Sequence, residues 1–292
     1  MSLRRLTNFG WTRTHALGAL AMACVGIYAT WGAWKDIYDI AWNDAESSHI
    51  FLVPIVAAWM FWVRRARLRF CPPTGTVIGP LLVAVGWLVS VYGFNAMIQA
   101  LHHVGAVMVV LGCVLSVLGK NVLFRFFPAF AVLVFLVPVP GRVRLALAGP
   151  LQNAAAGATQ AIFETMGIAV ERSGNLLTIN GVDVAVAEAC NGMRMVFALV
   201  LVSYAFAFSM PLRNWVRLVV LLASPLSALM CNVIRLIPTV WLYGNASKET
   251  ADTFHDYSGW VMLPIAFMLL LGVIRTLRWA LVPVARYNLA YQ

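Results

Sequence analysis

Charged residues are scarce in this chain of 292 residues. They make up 11% of it, only 11 residues are acidic, and 62% are hydrophobic. The mean hydropathy is +0.83. A soluble globular domain carries about 25% charged residues, so that class is excluded. The composition predicts an all-α membrane protein that crosses the bilayer several times.

Cysteine is also scarce, with five residues that form no CxxC pair. This spacing supports neither a disulfide framework nor a zinc site. We therefore expect no metal and no cofactor. The net charge of +10 does not indicate a nucleic-acid partner, because the basic residues fall in short groups between apolar runs.

Eight apolar runs are candidates for membrane spans, since a bilayer core needs about 20 helical residues. They cover approximately 16–34, 48–63, 77–94, 97–118, 122–139, 192–210, 216–238 and 258–276. No cleavage site for a signal peptide follows the first run, so we expect a retained helix. The chain is interpreted as a single integral-membrane domain over residues 1–292.

The basic residues predict the orientation. With both termini in the cytoplasm, 14 of the 21 basic residues lie on the cytoplasmic side. The acidic residues all fall on the other side or at its membrane boundary. We expect the largest loop, residues 140–189, to face away from the cytoplasm.

The spacing of apolar residues changes halfway along this extracytoplasmic segment. Residues 143–167 are rich in alanine, with apolar residues at helical spacing, which predicts a helix at the outer interface. Residues 176–186 alternate around Asn180-Gly181, the strongest hairpin-turn dipeptide. The sequence therefore predicts a small β-hairpin directly before the sixth span.

A cysteine with charged neighbours stands where this hairpin meets the sixth span, in a core predicted over residues 190–276. Cys190 follows Glu188, and Arg194 comes one helical turn later. A helix start and a nearby guanidinium both favour the reactive thiolate. Packing among apolar residues is the usual role of a free cysteine. Cys190 therefore has two interpretations, a structural thiol or a catalytic nucleophile.

Two further groups are expected at the same outer interface. Asn232 and Arg235 lie near the outer end of the seventh predicted span, and His255 and Asp256 stand immediately before the eighth. Each has a plainer interpretation: an arginine can snorkel, and a histidine or aspartate can cap a helix. His49, on the same side of the membrane, is either structural or part of the site.

Acyl transfer is the chemistry that uses a thiol, a fixed cation and an imidazole together. The thiolate attacks a carbonyl, the cation stabilises the oxyanion, and the imidazole moves the proton. A thioester acyl-enzyme then reacts with water, as in a protease, or with another nucleophile, as in a transpeptidase.

These residues resemble the exosortases and archaeosortases, which are membrane cysteine transpeptidases. The resemblance rests on short motifs along the chain: Ser48-His49-Ile50 with the following arginine cluster, Val137 to Gly141, Arg172 to Asn175, Ala187 to Arg194, Asn232 to Arg235, and Phe254 to Gly259. Asn191 and Ile50 depart from it, standing where the family usually has serine and glycine.

The resemblance implies a nucleophile, a cation and an acid/base, namely Cys190, Arg235 and His255. Supporting roles fall to Arg194, Glu188, Asn232, Asp256 and His49. It also implies the substrates: exported proteins with a C-terminal sorting tail, formed by a motif such as Pro-Glu-Pro, a membrane helix and a basic end. The protein is then expected in a bacterial inner membrane, with its site facing outward and an unidentified acceptor.

Two other hypotheses stay open. A transporter of a small anionic or lipid substrate would use Arg194 and Arg235 as anchors, although no inverted repeat is visible. An assembly scaffold would carry out no chemistry at all.

Overall fold

A computed structural model describes residues 10–73, 76–186 and 192–279. The chain is mostly helical, with one small antiparallel sheet. It divides into two compact units, one before and one after the Pro140–Gly141 bond. The assignment of residues 1–292 to one integral-membrane domain stays a prediction.

The first unit contains seven α-helices and three stretches of 3-10 helix in the described range. The α-helices are α1 (Arg13–Ala29), α2 (Trp31–Asn43), α3 (Val53–Val63), α4 (Ile78–Asn95), α5 (Gln99–Leu118), α6 (Lys120–Arg125) and α7 (Phe127–Ala131). The 3-10 stretches are Ala45–Leu52, Arg65–Phe70 and Val132–Leu136.

Glycines allow α4 and α5 to pack closely. A Cβ on Gly112 of α5 would lie 2.7 Å from both the Gly79 oxygen and the Val83 nitrogen of α4. A Cβ on Gly86 of α4 would lie 2.9 Å from the Gly105 oxygen. Real atoms do not approach so closely, so the two backbones touch only because these positions lack side chains. This is the small-residue packing that holds helices together in a bilayer.

In the residues that the structure describes, the second unit contains four helices and the sheet. Its elements are α8 (Gly141–Thr165), β1 (Glu171–Ser173), β2 (Leu176–Ile179), β3 (Val182–Ala185), α9 (Gly192–Ser209), α10 (Asn214–Asn245) and α11 (Lys248–Trp279). The helix predicted over residues 143–167 corresponds to α8, and its position at the outer interface stays a prediction.

The predicted hairpin is confirmed as β2 and β3, with Ile179 opposite Val182. Asn180 and Gly181 have φ angles of 52° and 77°, as a tight two-residue turn requires. The third strand, β1, pairs with β2 and was not predicted. A strand of three polar residues is too short to show an alternating pattern in the sequence.

An apolar core joins the sheet to α8 and α10. Its buried members include Phe163 from α8, Leu177 from β2, Val186 after β3, and Leu236 and Val240 from α10. Val186 also donates its N–H to the Asn175 carbonyl at 2.9 Å. The chain is therefore held firmly up to the residue that precedes the nucleophile segment.

Four described helices are long and apolar enough to span a membrane, or up to seven if each bent pair counts as one span. The sequence predicted about eight. The first predicted span, 16–34, breaks at Thr30, where α1 and α2 meet at 86°. The fifth, 122–139, is replaced by short helical pieces, with a break at Phe126 and Pro128 in the first turn of α7, a position that proline favours.

The last two helices are longer than predicted. The sequence placed them at 216–238 and 258–276, whereas α10 continues past Pro238 to Asn245 and α11 begins at Lys248. Proline is tolerated inside membrane helices, so Pro238 does not end α10. At the start of α11, Ser247 Oγ accepts the Thr250 N–H at 3.3 Å and caps a polar first turn that hydropathy alone misses.

Candidate active site

The predicted nucleophile segment lies outside the described residues. This applies to Cys190, Glu188 and Asn191, so their roles stay predictions. The described chain stops at Val186 and resumes at Gly192, the first residue of α9. Arg194 is the third residue of that helix and is half-buried.

Arg235 and Asn232 are buried together in α10. Their side chains are 7% and 4% exposed, and Arg235 Nη2 donates to Asn232 Oδ1 across a long 3.5 Å. The prediction that this pair lies near the helix end is wrong, because α10 runs ten residues beyond Arg235. A guanidinium covered by protein is not snorkelling to the interface.

His255 lies within α11, not before it. It is the eighth residue of that helix, so the sequence-based position was wrong. Asp256 cannot act as the cap at the helix start for the same reason. Its carboxylate lies 3.3 Å from His255 Nδ1, and the two side chains are 82% and 25% exposed. So long and exposed a contact holds the ring only weakly.

The Asp256 contact nevertheless favours one arrangement of the imidazole proton. A carboxylate accepts, so Nδ1 carries the proton that faces Asp256. In the neutral ring Nε2 is then the unprotonated nitrogen, which is the one able to take a proton. His255 Nε2 is buried and has no hydrogen-bond partner in the described part of the chain.

Gly259 leaves room for the Arg235 guanidinium close to the helix turn that carries His255. A Cβ on Gly259 of α11 would lie 3.1 Å from Arg235 Nη1. Gly259 follows His255 by four residues, hence by one turn on the same helix face. The guanidinium from α10 therefore lies against α11 one turn from the imidazole.

Arg235 also has an unused donor at this position. Its Nε is buried and, among residues 10–73, 76–186 and 192–279, makes no hydrogen bond. An unsatisfied buried donor on a charged group is costly, and this one belongs to a side chain that contacts α11 one turn from His255, which makes the two residues a candidate site.

His49 belongs to the first unit, in the 3-10 stretch Ala45–Leu52. Its side chain is 4% exposed, and Nδ1 donates to the Glu46 carbonyl at 3.0 Å. This bond fits the structural interpretation. The alternative, that His49 lines the site, stays a prediction.

Two features of the site were missed by sequence reasoning. One is the contact of Gly259 with Arg235, since the sequence analysis includes Gly259 in the Phe254 to Gly259 motif without a role; its spacing of four residues from His255 is the signal that marks it. The other is a cavity lined by Gln152 of α8 together with residues of α9 and α10, for which the sequence offers no signal. The described residues contain no group of three His, Cys, Asp or Glu side chains that could hold a metal.

The long apolar helices define a multi-pass membrane protein, and its candidate site consists of buried polar groups on α10 and α11. Residues 41–272 match the transmembrane exosortase family (Exosortase_EpsH), and the chain belongs to that family. No curated protein and no solved structure matched the chain. The family is associated with the processing of sorting signals, and membership indicates a membrane cysteine peptidase or transpeptidase.

Proposed function

We propose that this protein cleaves the C-terminal sorting tails of exported proteins, using Cys190 as nucleophile, and transfers them to water or a surface acceptor. The observation that carries the proposal is the pairing of Arg235 with the His255 turn of α11 through Gly259. Each residue keeps a buried nitrogen without a partner in the described chain. Family membership supports the same chemistry.

In the first step, the Cys190 thiolate forms a bond to the carbonyl carbon of the scissile peptide. The Arg235 guanidinium stabilises the oxyanion that develops. The C–N bond then breaks, and protonated His255 gives its proton to the leaving amine. The products are a thioester on Cys190 and the released membrane tail.

In the second step, His255 takes a proton from the incoming nucleophile at Nε2. The nucleophile attacks the thioester carbonyl, and the C–S bond breaks to restore the thiolate. With water, the product carries a free C-terminal carboxylate. With an amine or hydroxyl acceptor, it carries an amide or an ester.

The membrane arrangement fits a tail that is itself a membrane helix. We place the protein in the bacterial inner membrane with both termini in the cytoplasm, because basic residues cluster in the segments assigned to that side. A tail with a basic cytoplasmic end would then present its motif at the outer side, where we place the site.

The test is co-expression with a reporter protein that ends in Pro-Glu-Pro, an apolar helix and a basic end. Wild-type protein should yield one discrete product by mass spectrometry, and Cys190→Ala should yield none. Cys24→Ala is the matched control because Cys24 is an exposed cysteine distant in sequence from the motif. The new C-terminus identifies the acceptor.

Cleavage that persists in Cys190→Ala would refute the assignment of the nucleophile. Flux of a small anion or lipid in proteoliposomes, lost with Arg235→Leu but not with Cys190→Ser, would instead establish a transporter.

A further inference from the structure

A groove of about 730 Å³ lies within the first unit, along α2. Ile37 and Ala41 of α2 form part of one wall. The rest of the lining includes Ile50 and Phe51 from the 3-10 stretch Ala45–Leu52, together with Leu136. Sites for small molecules usually have about 300–1,000 Å³, so this groove is large enough to hold a ligand.

The helix α2 has the properties of a segment at the membrane surface. It turns away from α1 by 86° at Thr30, so it lies along the bilayer surface when α1 crosses the bilayer. Its exposed aromatic side chains are Trp31, Tyr38 and Trp42. Tryptophan and tyrosine are enriched at the boundary between lipid and water. The groove therefore opens where lipid headgroups meet acyl chains.

Contacts within the first unit hold the walls of the groove in place. Asp36 Oδ2 accepts a hydrogen bond from His103 Nε2 at 2.7 Å, which fastens α2 to α5. Tyr38 of α2 packs edge-on against Phe51 of the opposite wall, with 5.8 Å between the ring centroids. The shape of the groove is thus set by the protein itself.

Two opposite charges also line this apolar groove. Lys35 and Asp39 are exposed and lie four residues apart on α2, hence on one helix face with about 5–6 Å between their Cβ atoms. Within the described part of the chain, neither side chain forms a hydrogen bond or an ion pair. Both charges are available to a ligand that enters the groove.

We propose that this groove binds a membrane phospholipid whose headgroup carries a phosphate and a primary ammonium group, as in phosphatidylethanolamine. An acyl chain lies against the apolar wall, where each buried CH₂ group contributes to binding. Lys35 pairs with the phosphate, and Asp39 accepts hydrogen bonds from the ammonium group.

The headgroup matches the two side chains in charge and in spacing. Only two carbon atoms separate its phosphate ester oxygen from its nitrogen, so its opposite charges fit residues one helical turn apart. An anionic lipid would be repelled by Asp39. Phosphatidylcholine has the same charges, but its quaternary nitrogen has no N–H to donate to the carboxylate. This site goes beyond the proposed function, since lipid binding does not require that the protein cleave a tail.

Photocrosslinking tests the lipid site on the full-length protein. The protein is reconstituted in phosphatidylcholine vesicles that contain a trace of phosphatidylethanolamine with a diazirine on one acyl chain. Irradiation should attach this probe to residues 31–54, and mass spectrometry of peptides locates it. A phosphatidylcholine probe with the same chain should label these residues roughly threefold to fivefold less, the ratio expected for one partly exposed ionic contact.

Substitutions on α2 test the two charged contacts separately. Asp39→Asn should lower labelling by the phosphatidylethanolamine probe to the level of the phosphatidylcholine probe. Lys35→Gln should reduce labelling by both probes, because both carry the phosphate. Lys120→Gln is the matched control, since Lys120 is an exposed lysine of the same unit that does not line the groove. Its labelling should equal that of the wild type.

Four results would overturn the proposal or a part of it. Absence of label from residues 31–54 would exclude a lipid in the groove. Equal labelling of the wild type by both probes would refute recognition of the headgroup, and a preference that survives in Asp39→Asn would remove Asp39 from the site. Displacement of the probe by the reporter tail, but not by unlabelled phosphatidylethanolamine, would assign the groove to a protein helix instead.

Discussion

Two helix pairs in this protein use glycine for different purposes. Between α4 and α5, the space over Gly86 and Gly112 is filled by the backbone of the partner helix. Between α10 and α11, the space over Gly259 is filled by the tip of a side chain, Arg235 Nη1 at 3.1 Å from a Cβ position.

The difference separates packing from positioning. A backbone cannot move aside without separating the helices, so the α4–α5 glycines control stability. A guanidinium can shift by a few tenths of an ångström, so Gly259 controls where a charge lies. Substitution of the first kind should reduce folding, and substitution of the second kind should reduce activity in a protein that still folds.

The largest effect is expected at the cation itself. Arg235→Lys should lower kcat/KM for the reporter tail roughly 10²- to 10³-fold, because a single ammonium cannot replace a planar group of five donors at the oxyanion. Arg275→Lys on exposed α11 surface is the control and should keep full activity. Equal activity in both variants would remove Arg235 from the site.

The second largest effect is expected at the contact between α4 and α5. Gly112→Ala is expected to cost about 1–3 kcal/mol of stability, the usual effect of overpacking a tight interface. Thermal unfolding in detergent measures it. Gly272→Ala is the control, because nothing lies within 4 Å of a Cβ at that position. An unchanged Tm in Gly112→Ala would contradict the packing assignment.

Gly259→Ala should have a smaller effect than Gly112→Ala, and it should reduce activity instead of stability. We expect kcat to fall about tenfold through displacement of the guanidinium, which is in the range known for small misplacements of catalytic groups. The Tm should match that of Gly272→Ala, which shares the helix. A large loss of Tm with normal activity in the surviving protein would make Gly259 a packing residue like Gly112.

The smallest effect is expected in the alkylation rates of two thiols, Cys71 in the first unit and Cys190 in the second. Burial raises the pKa of Cys71, and the nearby positive charge of Arg125 offsets this only in part, so Cys71 is protonated at neutral pH. Cys190, predicted beside a helix start and Arg194, should alkylate several-fold faster at pH 7. Peptide mapping after a short maleimide pulse measures both rates. Equal rates would argue against a reactive thiolate at residue 190.

Sequence reasoning reached the helical class, the hairpin and the family, because hydropathy, alternation and turn chemistry are local properties. It misplaced the end of α10 and the start of α11. Hydropathy detects the part of a helix that is apolar enough for the bilayer, and it does not detect the polar turns that extend the helix beyond it. The start of α11 lies in a polar stretch whose signal is the Ser247 cap. His255 consequently lies inside a helix, where it faces a neighbour more rigidly than a loop residue would.

The contact between Arg235 and Gly259 was beyond prediction for another reason. It depends on how two helices are rotated against each other, and this rotation is set by their whole apolar faces. The same holds for the cavity, since Gln152 and Asn232 are 80 residues apart in sequence. Local patterns indicate which residues are unusual, but only packing decides which of them meet.

The central claim is that Cys190 and His255 share one site, and disulfide trapping tests it most directly. His255→Cys should form an intramolecular disulfide with Cys190 under mild oxidation, since such a bond requires Cα atoms within about 7 Å. The neighbouring variant Asp256→Cys should not, because Asp256 is exposed on another face of α11. Mass spectrometry of the linked peptides reads out both. A 190–255 disulfide seen only in His255→Cys is the predicted result, and its absence, or an equal yield from Asp256→Cys, would contradict the account.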